Sequence, residues 1–132
     1  MSDEVMKILF INSVCGIRST GRIVAELADR YAEQGCEVRI AYGRERASEK
    51  YEHLSYRIGT ETDVRINALK ARLFDKEGFY AHKQTKEFIG FADDYDPDVL
   101  WLHNLHGYYL NINSLFKYLA KKDIPIVWTF HD

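Results

Sequence analysis

Residues 7–13 read Lys-Ile-Leu-Phe-Ile-Asn-Ser, a nearly continuous apolar run of strand length that suits a strand covered on both faces in a parallel sheet. Beyond a short Gly-containing loop, Ile23, Val24, Leu27, Ala28 and Tyr31 recur at helical spacing and predict an amphipathic helix over residues 21–34. Gly35 is its natural stop. Residues 37–42, Glu-Val-Arg-Ile-Ala-Tyr, then read as a second strand, so the chain opens with one βαβ unit, a connection that is right-handed in nearly all known cases.

The pattern continues outward from that unit. Residues 43–55 are polar and read as a loop leading to a short strand at 56–58. Ile66, Leu69, Leu73 and Phe74 mark a helix over 62–74, and Phe88, Ile89 and Phe91 give an apolar side to another over 81–95, ended by Asp96-Pro97. Residues 98–102 and 125–130 read as two more strands of the buried type, joined by a polar aromatic loop and a helix carrying Leu115, Phe116 and Leu119. This alternation predicts an α/β domain with an open parallel sheet, strand order 3-2-1-4-5, and helices on both faces.

Composition narrows the function. The chain has 132 residues, 46% hydrophobic, 14% aromatic and 29% charged, which is too apolar for disorder and of a length suited to one domain with its own core. Its 18 basic and 20 acidic residues leave a net charge of -2, which argues against a dedicated nucleic-acid binder. Cys15 and Cys36 lack the paired spacing of a zinc or redox site, and a reduced, cytoplasmic protein is the simplest reading. The N-terminus carries acids before its apolar run, and that run is far short of the ~20 residues of a membrane span. Internal repeats and low-complexity tracts are absent.

In an open parallel sheet ligands bind beyond the carboxyl ends of the strands, where the strand order reverses, here between the first and fourth strands. The segments following those strands are residues 12–21, 103–109 and 131–132. In the first, Gly16, Arg18, Ser19, Thr20, Gly21 and Arg22 lead into a helix that Ser19 or Thr20 can cap, and the free N–H groups with the two arginines make a candidate anion site. The spacing matches neither the dinucleotide fingerprint nor the Lys-containing phosphate loop. The alternative is that these glycines only make the turn and the arginines are solvated. In the second segment His103, Asn104, His106, Tyr108 and Tyr109 offer polar groups for a hydroxyl-rich ligand and aromatic faces for a sugar ring. His103, His106, His131 and Asp132 could instead form a metal site, or the histidines could merely hydrogen-bond the loop.

Basic charge is uneven. Over residues 65–86, Arg65, Lys70, Arg72, Lys76, Lys83 and Lys86 stand against Asp75 and Glu77, a local net of +4. On a helical projection, basic residues flank the Ile66, Leu69, Leu73 stripe, as in a helix that lies on a membrane surface. Core helices with snorkelling basic edges share the pattern, and that is the simpler reading.

Residues 7–13, the loop ending Ser19-Thr-Gly-Arg-Ile, the Gln34-Gly-Cys-Glu-Val turn, Asp96-Pro-Asp-Val leading into Leu102-His-Asn-Leu-His-Gly-Tyr-Tyr, and Ile126-Val-Trp-Thr-Phe-His-Asp together resemble the N-terminal domain of family 4 glycosyltransferases. The resemblance implies a Rossmann-like domain of the two-domain GT-B architecture. It further implies retaining transfer of a sugar from a nucleotide-sugar to a saccharide or lipid-linked acceptor, in polysaccharide or glycolipid synthesis, with no cofactor or essential metal. By the same resemblance the loop from Gly16 to Arg22 faces the donor's phosphates and His131 approaches the donor sugar; Asp132, His103, Asn104, His106 and Tyr108 are expected in the donor or acceptor site from their place after the strand ends. The sequence departs from the family in having Gly16-Ile17 in place of an adjacent glycine pair, and Cys36 where His is common.

Three further expectations follow. The chain is expected to be the acceptor-side half of an enzyme whose nucleotide-sugar domain lies elsewhere, and to fold but transfer no sugar alone. It is expected in the cytoplasm, at the inner membrane surface if residues 65–86 touch lipid. The rival reading is a free-standing flavodoxin-like module that binds a nucleotide or phosphate without catalysis, for which fold alone is the warrant.

Overall fold

A computed structural model describes residues 5–74, 81–107 and 109–130, with the backbone alone for Phe74. In chain order the elements are β1 (Lys7–Ile11), α1 (Arg18–Glu33), β2 (Glu37–Tyr42), a 3-10 turn (Glu49–Leu54), β3 (Ser55–Arg57), α2 (Glu61–Phe74), α3 (His82–Tyr95), β4 (Val99–Leu102), α4 (Ile112–Lys121) and β5 (Ile126–Trp128). The strands form one sheet in the order β3-β2-β1-β4-β5, and every pairing is parallel. This is the Rossmann-like arrangement expected from the sequence, with β1 at the centre.

Period-two alternation along β1 builds the core on both faces of the sheet. Ile8 and Phe10 join Val24, Ala25 and Ala28 of α1 and Tyr51 and Leu54 of the 3-10 turn. Leu9 and Ile11 join Leu100 and Leu102 of β4, Phe88 and Ala92 of α3, and Leu115 and Leu119 of α4. The near-continuous apolar reading of residues 7–13 is thus a strand apolar toward both layers, as a central parallel strand must be. At the opposite end from the crevice, the Lys7 N–H donates to Asp98 Oδ2 and the Asp98 N–H donates to Lys7 O, each at 2.8 Å, which sets the β1–β4 register.

The helix ends follow local chemistry. α1 stops at Gly35 (φ 94), whose N–H donates to Ala32 O. α3 ends on Asp96 in the left-handed region (φ 53), followed by Pro97. α4 begins under Asn111, whose side-chain oxygen accepts from the Ser114 N–H at 2.8 Å while its own N–H donates to the buried Thr85 hydroxyl of α3 at 2.7 Å.

Four expectations need correction. The 3-10 turn occupies part of the polar stretch read as a loop, because Tyr51 and Leu54 reach the core from it. α1 starts at Arg18 rather than Gly21, and Ile23 is exposed, leaving the inner face to Gly21, Val24, Ala25 and Ala28. β5 is not a buried strand: Ile126, Val127 and Trp128 are each 40–42% exposed, and an apolar run alone does not separate a covered strand from an edge strand. α2 is turned the other way from the simpler reading. Its buried residues are Val64, Asn67 and Ala71, whereas Ile66, Leu69 and Leu73 face outward. Val64 joins the core layer of Leu9, Ile11 and Phe88, and the larger apolar stripe is left over on the other side. Lys76 lies outside the described residues.

Leu9→Ala is expected to lower the unfolding free energy by about 2–5 kcal/mol, because it opens a cavity in the centre of one core layer. Ile66→Ala on the outward face of α2 is expected to change it by no more than about 0.5 kcal/mol. Urea unfolding followed by circular dichroism measures both, and equal costs would contradict this orientation of α2.

Candidate functional site

The site is organised by the carboxyl end of β1. Asn12 is fully buried there, and its amide nitrogen donates to Val14 O at 2.8 Å and to the Thr20 hydroxyl at 3.4 Å, while its oxygen accepts from the Asn104 N–H at 3.1 Å. One side chain therefore ties the first loop, the start of α1 and the loop after β4 together. Ser13 O accepts from the N–H groups of Gly43 (3.2 Å) and Arg44 (2.8 Å), which draws in the loop after β2.

Between these loops lies a polar cavity of about 570 Å³ lined by Ser13, Val14, Arg18, Ser19, Thr20, Arg44, Glu45 and Asn104. Beside it, a mainly apolar cavity of about 330 Å³ is lined by His103, Asn104, Leu105, His106, Ile112, Phe116, Trp128 and Phe130. Asn104 belongs to both walls. The two cavities sit at the reversal of strand order between β1 and β4, where open α/β sheets bind ligands.

Charge in the polar cavity is controlled by one ion pair. The Arg18 guanidinium is bound through two nitrogens to the Glu45 carboxylate, with Nη2 2.8 Å from Oε1. Both residues have left-handed backbones, φ 57 for Arg18 and φ 61 for Glu45. The hydrogen bond and charge of Glu45 raise the Arg18 pKa further, and the Arg18 hydrogen bond holds the Glu45 carboxyl below its ordinary range. A carboxyl lowered in this way favours the pair above its ordinary range, and the contribution is lost as pH falls through the lowered value. Arg44 crosses the face of Gly107, where its Cδ stands 2.6 Å from the place a side chain would begin. Only glycine leaves that path open.

Gly16 has a packing role. Its left-handed backbone (φ 72) brings it so close to Tyr51 that a Cβ would stand 2.7 Å from the ring. Tyr51 in turn donates its hydroxyl to Asp29 at 2.7 Å, and burial with that bond pushes its pKa up to about 12. Gly21 packs under Val14. Neighbouring Cys15 is fully buried, and desolvation raises its thiol to about 12, so at neutral pH it is a protonated packing group.

The predicted residues divide as follows. Arg18, Ser19 and Thr20 line the polar cavity, Asn104 lines both, and His103 and His106 line the apolar one. Arg22 lies on the exposed side of α1 and does not line the polar cavity. Ser19 and Thr20 do not cap α1; they lie within its first turn, and the cap is Ile17, which makes no side-chain bond. His103 is buried, its ring 5.9 Å from that of Phe10 and 5.8 Å from that of Trp101, which stack on each other. Tyr109 is no sugar platform, because its ring is 1% exposed and its hydroxyl donates to Asn104 O at 2.7 Å. Tyr108, His131 and Asp132 lie outside the described residues. Arg44, Glu45, Phe116, Trp128 and Phe130 were missed, although Arg44 and Glu45 follow β2 at the same sheet edge as the residues that were found. Among the described residues no group of three or more His, Cys, Asp or Glu side chains gathers as a metal site would. Nor is any helix among them long and apolar enough to cross a membrane.

An open parallel sheet thus carries a polar and an aromatic cavity side by side at its switch point, the place where such sheets bind ligands. The sequence profile described as Glycosyltransferase Family 4 matches residues 20–132, and the chain belongs to that family. A curated relative from Escherichia coli (strain K12), named "Putative colanic acid biosynthesis glycosyl transferase WcaC", is 27% identical over 137 residues, an alignment covering 96% of this chain and 33% of the relative. The chain thus spans about a third of that relative's length. No solved structure matches the chain significantly.

Because Glu45 occupies the guanidinium that an anion would use, Glu45→Gln is expected to tighten binding of inorganic pyrophosphate several-fold. Isothermal titration calorimetry against the unsubstituted chain checks this, and weaker binding by the variant would show that Glu45 supports the anion rather than competing with it.

Proposed function

We propose that this chain is the acceptor-side domain of a retaining glycosyltransferase that moves a sugar from a nucleotide-sugar to a saccharide or lipid-linked acceptor. The observation that carries the reading is the pair of cavities sharing Asn104, one holding Arg18 and Arg44 and the other lined by Phe116, Trp128 and Phe130, in a chain of this family. In the proposed reaction the bond between the sugar's anomeric carbon and the diphosphate breaks, and its electron pair goes to the diphosphate. The acceptor oxygen bonds to that carbon on the same face, and its hydroxyl proton passes to the departing phosphate. Charge therefore accumulates on phosphate oxygens as the bond breaks.

Fixed donors aimed at developing charge are the largest source of rate enhancement in such sites. Arg18 and Arg44 supply them here, with Ser19 and Thr20 beside them at the start of α1, and no metal is essential in this scheme. Aromatic faces in the second cavity suit the apolar face of a sugar ring, and Asn104 and His106 suit its hydroxyls. His131 orients the donor sugar and Asp132 adjoins it, as the family resemblance implies. The nucleotide-sugar is held mainly by a second domain, and the whole acts in the cytoplasm without a nucleic-acid partner. The relative's name assigns that protein to colanic acid biosynthesis, which supports a biosynthetic role in polysaccharide or glycolipid assembly for this chain.

The test is sugar transfer by the polypeptide carrying this domain, measured with a panel of nucleotide-sugars and with the anomeric configuration of the product read by NMR. Arg18→Ala with Arg44→Ala is expected to lower kcat/KM about a hundredfold or more at unchanged thermal stability. A chelator is expected to leave the rate unchanged. No transfer from any donor, an inverted product, or a double variant as active as the parent would overturn the reading.

A further inference from the structure

α2 carries its larger apolar side chains on the wrong side for a core helix. At about 100° per residue, Ile66, Leu69 and Leu73 fall within one outward sector, opposite the buried Val64 and Ala71. They are 47%, 57% and 68% exposed. Surface leucines and isoleucines occur singly on most proteins, but three in one stripe along a single helix leave a contiguous apolar patch. Arg65 and Arg72 border that stripe on one side and Lys70 on the other, all exposed, and residues 64–74 contain no acidic residue. The chain as a whole is acidic, with a net charge of -2, so this basic border is local rather than a sample of the average surface.

We propose that the outward face of α2 docks on an anionic lipid surface, with Ile66, Leu69 and Leu73 entering the headgroup boundary and Arg65, Lys70 and Arg72 meeting lipid phosphates. An apolar strip edged by cations on both sides complements a surface that is apolar beneath and anionic above. A protein partner of matching shape would need acidic groups along both borders of an apolar groove; a bilayer offers them at every position and orientation. The other face of the same helix keeps Val64, Asn67 and Ala71 buried, so docking requires no unfolding. This goes beyond sugar transfer and does not rest on it.

The expected strength is modest. Each basic residue near such a surface favours binding by roughly fivefold, so three together give about a hundredfold over a neutral surface at low salt. Beyond a Debye length of about 8 Å at physiological ionic strength the remaining acidic surface contributes little, and at 1 M salt the length falls to about 3 Å, which removes most of the attraction.

The purified chain is sedimented with phosphatidylcholine vesicles and with vesicles in which a third of the lipid is phosphatidylglycerol, each at low and high salt. Binding is expected to the anionic vesicles only and to fall steeply with salt. Arg65→Gln with Lys70→Gln and Arg72→Gln is expected to lose about a hundredfold in partitioning, and Leu69→Gln with Leu73→Gln at least tenfold at unchanged charge. These positions are exposed, circular dichroism verifies the fold, and the lipid and salt comparison on the unsubstituted chain stands without the variants. Absence of binding at low salt, equal binding to neutral vesicles, or undiminished binding by either variant would overturn the proposal. So would a concentration-dependent dimer that Leu69→Gln with Leu73→Gln abolishes in a chain that binds no lipid.

Discussion

Asn12 carries a primary amide into a fully buried position just past the end of the central strand. A buried amide without partners costs a few kcal/mol, so the loops around it are constrained to supply them. Val14 O and the Thr20 hydroxyl take its two N–H groups, and the Asn104 N–H meets its oxygen. Those three partners belong to the first loop, to α1 and to the loop after β4; all three wall the polar cavity, and the last also walls the apolar one. The crevice that a parallel sheet leaves at its switch point is thereby given a fixed shape by one side chain that itself faces no ligand. Asn104, held by that bond, passes the constraint on: its side-chain oxygen accepts from the His106 N–H at 3.0 Å and its carbonyl from the Tyr109 hydroxyl.

The clasp between Arg18 and Glu45 is a consequence of this scaffold and not its cause. An exposed ion pair is weak because water and salt screen it, and this one joins two non-glycine residues held in the unfavourable left-handed region. The pair alone cannot hold both backbones there. Stronger restraint comes from bonds that involve backbone: Ser13 O on Gly43 and Arg44, Cys15 O on the Ser48 N–H, and the Glu61 carboxylate on the Glu45 N–H at 2.6 Å. Two charged side chains are therefore presented at the cavity mouth by backbones set elsewhere, a distribution of strain typical of binding sites.

Much of this was legible in the sequence because the fold rests on periodicity. The run at residues 7–13, the helical spacing from Val24 to Tyr31, Gly35 and Asp96-Pro97 each report a local property that the fold then uses unchanged. Strand ends also point to a site, and six of the residues named on that ground, Arg18, Ser19, Thr20, His103, Asn104 and His106, do line the cavities. What failed needed three-dimensional information. Arg22 lies one helical turn beyond Arg18, about 6 Å farther along α1, and so falls outside the cavity. Tyr109 reads as a ligand platform until Gly43 is found against its ring. The stripe on α2 has core periodicity, but periodicity gives the existence of an apolar face and not its direction; Val64, Asn67 and Ala71 are the buried residues.

The reversed α2 also bears on the site through its first residue. Glu61 opens the helix at the carboxyl edge of the sheet, and its Oε1 accepts both the Glu45 N–H and the Arg57 guanidinium at 2.9 Å. Glu45 in turn holds Arg18 at the polar cavity. Whatever the outward face of α2 rests on is thus joined to Arg18 at the polar cavity through two carboxylates and one backbone N–H. Hydrogen bonds of this length, one of them to a charged acceptor from a backbone amide, transmit position rather than merely proximity. A surface that fixes α2 would accordingly fix the orientation of the cavity mouth relative to itself, and anything confined to that surface would meet the crevice from a restricted set of directions.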